Sequence, residues 1–97
     1  MRTFELIPVD SRKSFYGKAK VFEYEYDNTI RYDLMSYNIT VCSYVNGEFI
    51  KLWNGYSATT ARHIDSFRRV FNLSRMSKKE WLELPVRGYD YEDFRTY

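Results

Sequence analysis

The fold turns on the stretch Tyr37-Asn38-Ile39-Thr40-Val41-Cys42-Ser43-Tyr44-Val45-Asn46-Gly47-Glu48-Phe49-Ile50-Lys51-Leu52-Trp53. Tyr37, Ile39, Val41, Ser43 and Val45 alternate with Asn38, Thr40, Cys42 and Tyr44, the period-two pattern of a strand with two different faces. Asn46-Gly47 follows directly. A type I′ turn needs φ > 0 at both central residues, and Asn-Gly meets that need at the least cost. The pattern therefore predicts an antiparallel hairpin, 37–45 against 49–53. A second Asn-Gly pair, Asn54-Gly55, ends it.

Working toward the N-terminus, residues 18–26 alternate in the same way. Phe22, Tyr24 and Tyr26 face one side, and Val21, Glu23 and Glu25 the other. Asp27-Asn28 is a turn signal, and 29–34 reads as a returning strand. Residues 3–9 read as a short edge strand that Pro8 interrupts, because proline cannot donate to a ladder. Residues 10–17 are polar and turn-rich, carrying Phe15 and Tyr16.

Toward the C-terminus the period changes to that of a helix. Ser57 is placed to cap a helix over 58–73. Thr60, Ile64, Phe67 and Phe71 fall in one arc, His63 and Val70 flank it, and Arg62, Asp65, Ser66 and Arg69 lie opposite. Asp65 has helical spacing to Arg62, Arg68 and Arg69. Ser77-Lys78-Lys79-Glu80 is a capping box, opening a short helix that carries Trp81, Leu82 and Leu84 and stops at Pro85. Strands come first and helices follow. The expectation is an α+β domain: an antiparallel sheet of four to five strands followed by one long and one short helix packed on one face. The domain spans 1–86. Residues 87–97 form an aromatic, acidic tail, either frayed or an extra strand anchored by Tyr89, Tyr91 and Phe94.

The 97 residues include 10 Tyr, 7 Phe and 2 Trp, 20% of the chain, at a formal net charge of +2. That composition belongs to a folded domain rather than a disordered one. No apolar run is long enough to span a bilayer, so no membrane association is expected. The opening residues have no continuous apolar core of a secretory signal, and the lone Cys42 has no partner for an internal disulfide. The expected location is the cytoplasm. Charge is uneven: Arg62, Arg68, Arg69, Arg75, Lys78 and Lys79 face only Asp65 in their stretch, and an acidic tail follows.

The candidates for chemistry are few. Cys42 and His63 are the only thiol and imidazole, and nucleophilic catalysis would need them in contact. Mid-strand Cys42 reads as a core residue and His63 as a hydrogen-bonded helix flank. One His and one Cys do not make a tetrahedral zinc site. The four glycines match no phosphate-binding spacing, and Glu23 with Glu25 reads as a polar strand face. No enzymatic activity, cofactor or metal is expected. Arg62, Arg69, Arg75, Lys78 and Lys79 are a candidate site for an anionic partner or nucleic acid, although the pI of 8.7 is modest for that role. Tyr24, Tyr26 and Tyr44 are a candidate protein interface, since Tyr, Trp and Arg dominate interface hot spots.

Residues 36–41, 47–49, 52–60, 62–64, 78–81 and 84–86 also carry a resemblance. The run Trp53-Asn54-Gly55-Tyr56-Ser57-Ala58-Thr59-Thr60-Ala61-Arg62-His63-Ile64 is its centre, and 8–10 and 14–19 add to it. It resembles a family of short proteins of unknown function carried on mobile genetic elements of Gram-positive bacteria. Many of them read W-x-G-W-S-A-T-T-x-R-H-I here, so Tyr56 departs from their pattern. The resemblance implies no catalytic residues. By residue chemistry, the block is either a structural turn feeding a helix or, because helix N-termini favour anions, a binding site. The functional expectation is a non-enzymatic accessory protein of a mobile element that binds another protein, in one version an inhibitor of a host system. The alternative is a nucleic-acid-contacting factor using the 62–79 region.

Overall fold

A computed structural model of the chain describes residues 2–6, 15 and 17–87. Five strands precede two helices: β1 (Arg2–Glu5), β2 (Ala19–Tyr26), β3 (Thr29–Ser36), β4 (Ile39–Val45), β5 (Glu48–Lys51), α1 (Ala58–Val70) and α2 (Lys78–Glu83). The strands form one antiparallel meander in chain order, β1-β2-β3-β4-β5. This is the α+β arrangement that the pattern predicts. The proposed frayed or strand-forming tail, and the residues around Pro8 and Tyr16, lie outside the described residues.

Two-residue turns set the register. Asp27 and Asn28 take φ of 50° and 62°, and Asn46 and Gly47 take 52° and 79°, as a type I′ turn requires. The β3–β4 turn is the one the alternation hides. Tyr37 and Asn38 continue the strand pattern, yet Tyr37 sits at φ 57° and its N–H donates to the Lys18 carbonyl at 2.7 Å. Strand β3 therefore runs on to Ser36, and β4 starts at Ile39 with a register shift between Leu34 and Met35. Helix α1 also stops earlier than its periodicity suggests. Asn72 takes the left-handed conformation at φ 62°. The Leu73 N–H then reaches the Arg68 carbonyl and the Asn72 N–H the Arg69 carbonyl, a Schellman close.

Register assigns the faces. Val21, Leu34, Cys42 and Lys51 stand in one cross-strand row, and Phe22, Asp33, Ser43 and Ile50 in the next, pointing the other way. The helices cover the Val21 side. Ala19, Val21, Leu34, Val41 and Cys42 pack there with Leu6 and Phe15, against Ile64 and Phe67 of α1 and Trp81 of α2. Tyr32 and Tyr44 stand on the same side, and Phe71 packs on both rings. Asp65 and Ser66, on the polar arc by periodicity, are buried. The α1–α2 loop folds back over this arc, so that the Met76 N–H and the Arg75 Nε donate to the Asp65 carboxylate at 3.3 Å each. Asp65 thus holds the loop rather than pairing along its own helix.

Candidate functional site

The block 53–64 joins both helices to the sheet. After β5 the chain stays tied to β4: the N–H groups of Leu52 and Trp53 both donate to the Val41 carbonyl. The Trp53 indole then folds against the Gly55 backbone, where a Cβ would overlap the ring. That close approach is the reason for a glycine there. The Gly55 carbonyl in turn accepts the Trp81 indole N–H at 2.8 Å, fastening α2 to the turn. Two residues on, the Ser57 hydroxyl accepts the Thr60 N–H at 3.0 Å and caps α1. Ser57→Ala is expected to lower unfolding free energy by about 1 kcal/mol, read by urea denaturation, with no change in the native spectrum.

Lys51, which the strand pattern gave no special weight, completes the junction. Its side chain is buried on the helix side of β5. Its ammonium donates to the carbonyls of Trp81 at 2.8 Å and Leu84 at 3.1 Å, and lies 4.9 Å from the Trp81 ring centroid. These carbonyls belong to the end of α2, where backbone acceptors have no partner within the helix and a cation is favoured. Burial pushes the Lys51 pKa down from its ordinary value. At the other end of α2 the capping box is complete. Ser77 accepts the Glu80 N–H at 3.1 Å, and Glu80 accepts the Ser77 N–H at 2.9 Å, which holds the Glu80 carboxyl below its usual range.

The buried polar residues of α1 form a second small cluster. Ser36, the last residue of β3, shares hydrogen bonds with Thr60 at 3.1 Å and with His63 Nδ1 at 2.7 Å. The Phe15 ring meets the imidazole edge-on at 4.5 Å, and the Tyr37 ring is 5.8 Å away. Burial, with a smaller contribution from the Arg62 charge, lowers the His63 pKa to about 4. The imidazole is therefore neutral at pH 7. A Ser–His contact can activate a nucleophile only where a substrate can reach it. Here both side chains are sealed, so the pair fixes α1 against the β3 end. Cys42 is also fully buried on the sheet, its thiol pushed up by burial and then by Asp33. The described contacts do not bring it to His63. No group of three or more metal-ligating side chains occurs among the described residues.

The basic candidates are dispersed among structural tasks. Arg62 lies 5.2 Å over the Phe15 ring, Arg75 pairs with Asp65, and Lys78 stands 5.1 Å from the Tyr56 ring centroid. Arg68 donates to the Ser74 carbonyl at 2.8 Å and stacks on Phe49. Arg69 and Lys79 are exposed. The tyrosine candidates do not share one surface either. Tyr44 stacks on Phe71 at 4.2 Å beneath α1. Tyr24 stands on the opposite face, with the Arg31 guanidinium 4.5 Å over its ring. Tyr26 ends β2 opposite Thr29, and its side chain lies outside the described residues.

Sequence reasoning gave no weight to Tyr37 and Ile39, two of the large apolar residues exposed among those described. Tyr37 is 50% exposed and Ile39 44%, flanking Asn38 at the β3–β4 turn. A bulky residue at φ 57° is strained relative to Asn or Gly.

No described helix is long and apolar enough to cross a membrane. No curated protein and no solved structure matches the chain. One family model does match, over residues 4–83, from β1 to the last residue of α2 and across the whole junction. The chain belongs to DUF8033, a family of unknown function.

Proposed function

We propose that this protein is a non-enzymatic, protein-binding accessory factor of a mobile genetic element, acting on a protein of the host cell. The observation that carries this reading is the Tyr37–Ile39 corner. An aromatic residue and, two positions on, an aliphatic one each keep about half their surface exposed, at a turn whose backbone would be more relaxed with a smaller residue at Tyr37. Strain kept at an exposed aromatic points to a use for the ring, and Tyr is a preferred anchor of protein interfaces. The imidazole and the thiol are both sealed in the packed core, and several basic side chains hold loops and rings. This favours contact through a surface patch over chemistry in a cleft.

The test uses a variant that keeps the fold. Tyr37→Asn with Ile39→Thr suits the left-handed turn and the strand but uncovers one side of the His63 ring, so an unchanged native spectrum is required of the variant before binding is read. Immobilised intact chain should retain a host protein, the double variant should lose it, and Arg69→Glu with Lys79→Glu should retain it. Titration with labelled duplex and single-stranded DNA serves as the opposing arm. Tight DNA binding with a steep salt dependence, lost in the Arg69/Lys79 variant and kept in the Tyr37/Ile39 variant, would overturn the reading.

A further inference from the structure

We draw no further inference here: the strongest candidate, the apolar surface patch around the C-terminal end of α1, where Val70 and Phe71 stand with Tyr32 and the exposed Ile30 of β3, carries nothing, because nothing in the structure shows what covers it.

Discussion

Replacing Trp81 by alanine is expected to cost about 3 to 5 kcal/mol of unfolding free energy, the largest loss from any one side chain of α2. Trp81 is 2% exposed and is the only described residue of this helix that is buried. Its ring meets Phe49 edge-on and lies beneath the Lys51 ammonium, and its N–H holds the Gly55 carbonyl. Truncation leaves a cavity and takes the donor from that part-buried carbonyl. It also strips the ring from a buried lysine whose remaining partners are the α2 carbonyls. A domain of this size has only about 5 to 15 kcal/mol in total, so the variant is marginal at 37 °C. Trp81→Phe isolates one part of the effect. It keeps most of the ring, loses the indole donor, and should cost roughly 1 to 3 kcal/mol. Urea denaturation of the three proteins checks both values. A loss below about 1 kcal/mol for the alanine variant would show that α2 is not fastened through this ring.

Acid should remove about 3 kcal/mol of stability through His63 alone, the second large effect. In the folded chain its pKa is lowered from 6.5 to about 4, because burial disfavours the charged ring and Arg62 adds a like charge. The unfolded chain therefore binds the proton more readily. The contribution is complete above pH 6.5, falls as the pH drops from 6.5 toward 4, and is flat below that. The ring is enclosed by Phe15, Tyr37, Ser36 and Thr60, none of which supplies a carboxylate to hold a proton there. His63→Gln removes the titration, so the stability gap between the two proteins should narrow from pH 7 to pH 4. A gap that stays constant, or an imidazole that titrates at 6.5 or above by NMR, would contradict this placement.

Much of the fold was legible in the sequence, because period-two alternation and Asn-Gly chemistry are local signals. The five strands, the capping of α1 by Ser57 and the Ser77–Glu80 box all follow from neighbours in the chain. What stayed hidden depended on distant contacts. Tyr37 looked like strand because tyrosine fits a pleated surface, and only the Lys18 carbonyl and the return of β4 turn the chain there. Asp65 looked solvent-facing because helix periodicity knows nothing of the loop that later closes over it. Tyr44 and Tyr24 carried the same residue type on opposite faces, and only the helices' choice of the Val21 side separates them. Lys51 was the least legible. A lysine in a strand reads as a polar face until the end of α2 is placed above it. The block 53–64 was legible as a turn and a cap. Its second task, receiving the Trp81 indole on the Gly55 carbonyl, joins residues 26 positions apart.

The central claim is that this block and Lys51 bind both helices to the sheet as one cooperative unit. Native-state hydrogen exchange tests it most directly. The amides of Trp81 in α2 and Leu84 at its C-cap should exchange with the same free energy as those of Phe67 in α1 and Cys42 in β4, the free energy of global unfolding. Exchange of the α2 amides through a local opening several kcal/mol below that value would contradict the claim, because it would mean that α2 lifts away while the rest of the fold stands.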